Sequence, residues 1–295
     1  MAAPKLLITG ASGFLGGALY AQAQEDWRVT ALCNTTCFPG MVALDLSQHD
    51  AVHAFVRRLR PRVILHVAAH ANLDACEKNP QQAEQINLTA TATLLEAADA
   101  VQARLVFVSS DMVFDGRRGM YRVSDAVSPL SVYGRTKAAA EALIQASPGA
   151  HVIARAALIY GRPRLGGGSF SGWLESRLRE RQAATLYTDQ FRTPVWVENL
   201  AGQLLELAHN DFSGIIHCAG AERADRFRFG QILCRLAGYS EQLLVPVSMH
   251  DHETAAPRPA DVSLDTVHTR QSLKTPLLDI EEGLTRMVSQ DLKVF

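Results

Sequence analysis

Residues 5–16 read Lys5-Leu6-Leu7-Ile8-Thr9-Gly10-Ala11-Ser12-Gly13-Phe14-Leu15-Gly16, an apolar strand that runs straight into a glycine turn. A helical pattern follows as far as Gln24. Few architectures accept that order. Gly10 permits the tight turn, Gly13 lets backbone approach a pyrophosphate, and Gly16 allows close packing of helix on strand. The helix start presents free N–H groups to phosphate oxygens, so Ser12, Phe14 and Leu15 complete a candidate dinucleotide cradle. The spacing is G-x-x-G-x-x-G rather than G-x-G-x-x-G, and a turn without a ligand would look similar. The strand–turn–helix context is what favours the cradle.

The first half repeats this rhythm. Apolar runs near 4–9, 28–33, 62–67, 104–109 and 151–156 read as strands, and helical periodicity falls near 14–24, 48–59, 80–100 and 131–146. Such alternation predicts an α/β fold with a doubly wound parallel sheet. Right-handed crossovers then bring the strand C-terminal ends to one edge. The glycine turn, Asp45, Ala68 to His70, Ser110 and Tyr133 would face one crevice there. The rhythm breaks at Arg162-Pro163-Arg164-Leu165-Gly166-Gly167-Gly168. Helices are expected over 169–181, 196–209 and 226–237, with a strand at 214–218 and a Pro-rich polar segment around 251–265.

A second motif joins the first. Val108-Ser109-Ser110-Asp111-Met112 puts a hydroxyl at a strand end, and Tyr133-Gly134-Arg135-Thr136-Lys137 puts a phenol and an ammonium on one helix face. A nearby positive charge lowers a Tyr pKa, and a Ser bonded to the reacting oxygen completes a proton-transfer device for a carbonyl/alcohol pair. A packed phenol beside a solvated ammonium has the same spacing. The glycine turn upstream tips the reading toward chemistry.

Together these segments resemble the extended branch of the short-chain dehydrogenase/reductase superfamily. The finer resemblance is to the dTDP-4-dehydrorhamnose reductase family and the related regulatory β subunit of methionine adenosyltransferase. It is carried further by His66-Val67-Ala68-Ala69-His70, Asp74-x-x-Glu77, Ile86-Asn87, Tyr160-Gly161, Asp189-Gln190 to Pro194, His217-x-Ala219-Gly220, Arg258-Pro259 and Leu264-Asp265. The likeness implies a Rossmann domain over 1–160 that binds NAD(P). It also implies a small substrate-binding lobe, mainly 161–295, from which about 196–218 returns to the main fold.

The resemblance assigns roles. Tyr133 would be the general acid, Lys137 would hold the nicotinamide ribose, and Ser110 would orient the carbonyl oxygen. Asn87 matches an Asn that supports a Lys-linked water. Asp45 and Leu46 would meet the adenine, although Asp45 could equally cap the following helix. Ala68, Ala69 and His70 would pass close to the cofactor. His66 and His70 read as packed side chains, and no metal is expected. The second strand ends in Asn34-Thr35-Thr36, with neither the acidic residue that favours NAD nor an Arg for NADP. That leans to NADP(H), with NAD(H) also accepted.

On the substrate side, Asp111, Met112, Gln190, Arg192 and Arg258 match regions that reach a nucleotide sugar, and an Arg suits a diphosphate. Two positions depart from the family: Ser110 stands where Thr is usual, and Met112 where the reductases carry Tyr. The expected activity is reduction of a keto-sugar nucleotide. A sugar-nucleotide epimerase and a non-catalytic dinucleotide-binding regulatory subunit remain as alternatives. A dehydratase is disfavoured, because Asp111 is followed by Met112 rather than Glu.

Composition excludes other classes. With 29 basic and 30 acidic residues the chain has no electrostatic footprint for nucleic acid, and Arg177, Arg179 and Arg181 read as a solvated face. No run of 18 apolar residues suggests a membrane span. Five cysteines without paired C-x-x-C spacing predict neither zinc nor a disulfide framework, but free thiols. With the first strand so near residue 1, no signal peptide is expected and the cytoplasm is the expected compartment. The sequence does not fix an oligomeric state; the resemblance implies a homodimer.

Overall fold

The computed structural model describes residues 3–290; the outermost residues of the two expected domains, 1–2 and 291–295, lie outside this range. The first half is β1 (Lys5–Thr9), α1 (Phe14–Ala23), β2 (Arg28–Cys33), β3 (Val42–Ala43), α2 (His49–Leu59) and β4 (Val63–His66). Then come α3 (Leu73–Lys78), α4 (Pro80–Glu84), α5 (Ala90–Ala100), β5 (Arg104–Ser110), α6 (Val132–Ala146) and β6 (Val152–Ala156). Beyond these lie β7 (Ile159–Tyr160), α7 (Phe170–Arg179), β8 (Ala184–Tyr187), β9 (Phe191–Arg192), β10 (Val195–Trp196), α8 (Val197–His209) and β11 (Gly214–Cys218). The chain ends with β12 (Ala224–Asp225), α9 (Arg226–Ala237), β13 (Leu244–Val247), α10 (Val267–Ser272) and α11 (Ile280–Ser289).

Seven strands form one parallel sheet in the order β11-β6-β5-β4-β1-β2-β3. This is the doubly wound Rossmann-like fold that the βα rhythm predicts. β4 is buried along its whole length, as a strand covered on both faces must be. Leu15 and Leu19 of α1 pack with Leu200, Leu204 and Leu207 of α8 on one face. Val52 and Val56 of α2, Leu94 and Ala98 of α5, and Ile144 of α6 cover the other. Each such fully buried Leu, Ile or Val contributes roughly 1.5–3 kcal/mol relative to exposure. A third core joins α7, α9 and α11 to β8 and β13 through Leu178, Phe229, Leu186, Leu244, Leu284 and Met287.

Three expectations change. The helix expected over 80–100 is α4 and α5 joined by a π turn, Gln85–Thr89, and α3 precedes it unforeseen. Asn79 ends α3 and its side chain accepts from Gln82 N–H, so one residue punctuates both helices. The two-residue strands after Ala156 were also not expected; they are held by pairing partners far along the chain, as β9 is by β12. Finally, Cys33 and Cys37 form a disulfide rather than two free thiols. Cys33 ends β2, and the turn that follows returns the chain within four residues, so the pairing is local and no long-range framework announces it. Cys76, Cys218 and Cys234 are free and buried, and burial pushes the Cys218 thiol up to about 12.

Candidate active site

A cleft of about 740 Å³ opens where the sheet order reverses, at the C-terminal ends of β1 and β4. The glycine turn with Ser12, Phe14 and Leu15 lines it, as do Asn34, Asp45, Leu46 and Ala68 to His70. Gly10 has φ +65, and a Cβ there would stand 2.8 Å from the Ala68 backbone, so only glycine lets β1 turn this close to the β4 loop. Gly13 begins α1 without a side-chain cap, which leaves the N–H groups of the first turn for an anion. This donor set fits a dinucleotide diphosphate.

Behind the turn, Thr9 and His66 pair across β1 and β4. The His66 ring is bonded to Thr9 Oγ1 (2.7 Å) and Thr91 Oγ1 (3.0 Å), and burial drives its pKa down to about 3. It is a neutral packing residue, as the sequence reading has it. Asp45 does not cap α2, where Gln48 stands at the N-cap; its carboxylate accepts from Ser47 N–H at 2.9 Å and is held below its ordinary value mainly by that bond. Its side chain is therefore fixed at the cleft wall as an anion.

Ser110, Tyr133 and Lys137 meet at the other end of the same cleft. Ser131 caps α6 by accepting from Gly134 N–H (3.1 Å), which sets the helix so that Tyr133 and Lys137 share a face. Ser110 Oγ donates to Asp111 Oδ1 (3.1 Å) and accepts from Met112 N–H (3.2 Å), and it lines the cleft together with Tyr133. The expected depression of the Tyr133 pKa is not found. Burial raises it well above its ordinary value, the neighbouring Ser110 hydroxyl opposes the rise, and Asp111 adds to it. Lys137 Nζ sits 4.3 Å from the centre of the Phe107 ring, and burial pushes its pKa down to about 7 against the pull of Glu141. Burial disfavours both charged forms, the phenolate and the ammonium, so the lysine does not offset the rise.

Asn87 lies in the π turn and is buried. Its amide accepts from His70 N–H (2.7 Å) and donates to His70 O (3.1 Å) and Thr136 Oγ1 (3.1 Å). It ties the cleft loop after β4 to α6, one residue before Lys137.

The proposed substrate residues sit beside the cleft rather than along it. Asp111, Gln190 and Arg192 are buried together, with Arg192 Nε 3.9 Å from the Asp111 carboxylate. Burial raises the Asp111 pKa, and Arg192 pulls it back. Arg226, at the start of α9, joins them by donating to Gln190 Oε1 at 3.4 Å, and burial lowers its pKa to about 9. Asp111 Oδ2, Gln190 Nε2 and Arg226 Nη1 are buried with no hydrogen-bond partner. Arg192 also donates to the carbonyls of Phe191, Pro259 and Ala260. Arg258 is engaged elsewhere, by Asp74 at 2.7 Å. Met112 is packed in an apolar cluster with Tyr133, Phe114 and Cys76.

Sequence reading missed two contributors. Arg226 gave no signal, because an Arg at a helix start reads as solvated. Gly166 to Gly168 line the cleft although the loop read as structureless. Gly167 has φ +84, and a Cβ there would stand 2.9 Å from Phe14 N, so three consecutive glycines were the available sign of close approach. Ligand-type atoms also gather away from the cleft, where His49 and His53 of α2 meet Glu96 of α5. That group is half-exposed and reads as a charged contact between helices.

A dinucleotide-type cleft that ends in Ser110 and Tyr133, with Lys137 one turn on, defines a short-chain dehydrogenase/reductase of the extended kind. The chain belongs to the family described as the RmlD substrate binding domain, which matches residues 4–293. It is 32% identical over 293 residues to a dTDP-4-dehydrorhamnose reductase of Mycolicibacterium smegmatis, covering 97% of this chain and 86% of that one. It is 31% identical to methionine adenosyltransferase 2 subunit beta of Xenopus laevis, over 88% of this chain and 80% of that protein. The fold superposes with a TM-score of 0.89 on the dTDP-4-dehydrorhamnose reductase of Bacillus anthracis in complex with NADP, at 26% identity, covering 98% of this chain and all (100%) of that one. Among the described residues no helix is long and apolar enough to cross a membrane.

Proposed function

We propose that this protein reduces the keto group of a nucleotide-linked sugar at the expense of NADPH, as a dTDP-4-dehydrorhamnose reductase does. The observation that carries the reading is the meeting of Ser110, Tyr133 and Lys137 at one end of a cleft whose other end is a glycine-turn anion cradle. Bound NADPH supplies the hydride. Tyr133 keeps its proton at neutral pH because burial raises its pKa, so it is ready to give that proton to the carbonyl oxygen as negative charge develops. Ser110 holds the same oxygen in place, and protonated Lys137 donates to cofactor hydroxyls. Asn34, Thr35 and Thr36 at the adenosine end offer donors and no carboxylate, which suits a 2′-phosphate and tolerates NAD(H). The buried Arg192 and the half-buried Arg226 beside Asp111 supply positive charge for the substrate diphosphate.

The test is binding of NADP(H) and NAD(H) by calorimetry, followed by NADPH oxidation against a panel of keto-sugar nucleotides. Binding with turnover, lost in Tyr133→Phe with cofactor affinity nearly intact, is the expected result. The likeness to methionine adenosyltransferase 2 subunit beta favours a second reading, a dinucleotide-binding regulatory subunit. Tight binding with no turnover across the panel would select it over the reductase. Two attributes go with the proposal: residence in the cytoplasm, measured by fractionation, and a homodimer, measured by light scattering.

A further inference from the structure

The Cys33–Cys37 disulfide closes a ring around Asn34, Thr35 and Thr36, and all three of those residues line the cleft. We propose that this pair is a thiol–disulfide modification site that sets the affinity of the cleft for the adenosine end of the dinucleotide. The inference rests on the dinucleotide reading of the cleft.

Its two sulfurs are unlike. Cys33 is the last residue of β2 and is 3% exposed, whereas Cys37 is exposed in the turn. An incoming thiolate therefore reaches the Cys37 sulfur, and the Cys33 thiolate leaves. In the reverse direction, the Cys37 thiolate attacks a low-molecular-weight disulfide and expels one thiol, and Cys33 then displaces the second. Two protein thiols and one small disulfide become one protein disulfide and two small thiols, so atoms and electrons balance.

The consequence follows from what else holds the segment. Cys33 O accepts from Leu44 N–H (3.0 Å) and Cys33 pairs with Ala43 across β2 and β3, so the strand end is anchored without the sulfur. Asn34, Thr35 and Thr36 are exposed, and the Cys37 sulfur lies 3.6 Å from Asn34 O. The covalent ring is the tether that fixes these three residues against the cleft. Opening it returns backbone and side-chain freedom to the residues that meet the ribose and any 2′-phosphate, and binding must then order them again. The glycine turn and the Ser–Tyr–Lys end lie outside the ring and keep their geometry.

The test uses the full chain in two states, one equilibrated with oxidised glutathione and one with a dithiol reductant removed before measurement. Thiol titration after denaturation should find three free thiols in the first and five in the second, with peptide mapping locating the lost pair at Cys33 and Cys37. NADP(H) should bind the oxidised form about 3–10-fold more tightly, roughly the ordering cost of one residue's backbone, since binding re-orders only part of the freed segment. Cys37→Ser should bind like the reduced form in both conditions. Five thiols in both states would overturn the site, and equal affinity with the disulfide proven would overturn its effect. Absence of NADP(H) binding in both states would instead sink the dinucleotide reading on which the proposal stands.

Discussion

At the residue scale the most telling group is Lys137. Removing an ammonium from water without a close carboxylate costs so much that its pKa falls to about 7, while Glu141, the nearest acid, spends its charge on Arg155 at 2.7 Å. A lysine poised this way titrates where enzymes work. Protonated Lys137 donates to the cofactor, so binding takes up a proton once the pH exceeds the folded pKa. Cofactor affinity should therefore weaken as pH rises, by up to about fiftyfold between about pH 7 and about pH 9. Calorimetric titration across that range checks it, and Lys137→Met should be weaker throughout and nearly flat with pH. A wild-type affinity that stays level through pH 9 would show that Lys137 does not carry the binding proton.

At the scale of elements, the glycine turn does not act alone. The 162–168 loop comes back from the start of the lobe and lies on the first turn of α1, with Gly166 against Ser12 and Gly167 against Phe14. Gly167→Ala would place a methyl group 2.9 Å from Phe14 N at a φ of +84, so the loop must move or strain. The expected outcome is a loss of about 1 kcal/mol in stability and a severalfold weaker NADP(H) affinity. Unfolding in urea and a binding isotherm on the same variant separate the two effects. Unchanged affinity would show that the loop is only a bystander to the cleft. This contact also marks the limit of what the sequence discloses. β1, β2, β4, β5 and β6 are legible because each is a mainly apolar run, and Gly10, Tyr133 and Lys137 because short-range spacing defines them. β9 and β12 are invisible, since two residues such as Phe191 and Arg192 carry no period and take their form from a partner more than thirty positions away. Arg226 is hidden for a related reason: its burial against Gln190 and Phe170 is tertiary, and nothing local separates it from a surface arginine. The Tyr133 pKa could not be read either, because burial, which decides its direction, is not a local property.

For the whole molecule, acid sensitivity follows from two imidazoles buried in the sheet. His66 in β4 has its pKa lowered to about 3, and His217 in β11 to about 4, in both cases chiefly through burial. His217 also links the C-terminal segment to the sheet, since its ring nitrogen Nδ1 contacts Asp265 O (2.9 Å) and its carbonyl accepts from Thr269 (2.6 Å). In the unfolded chain both rings titrate near 6.5. Between that value and the folded pKa the unfolded state binds more protons, so stability is full above about pH 6.5 and is lost as pH falls. At about pH 5 each ring should have removed about 2 kcal/mol. The carboxylates held below their ordinary values, such as Glu206 and Asp261, add their own loss only further down. Urea midpoints at about pH 7.5 and about pH 5 measure the sum, and His217→Gln, which keeps a donor near Asp265, should reduce the difference by about half. Equal midpoints at the two pH values would mean that the folded protein takes up these protons as readily as the unfolded chain, and that the sheet tolerates a charge at its centre and its edge.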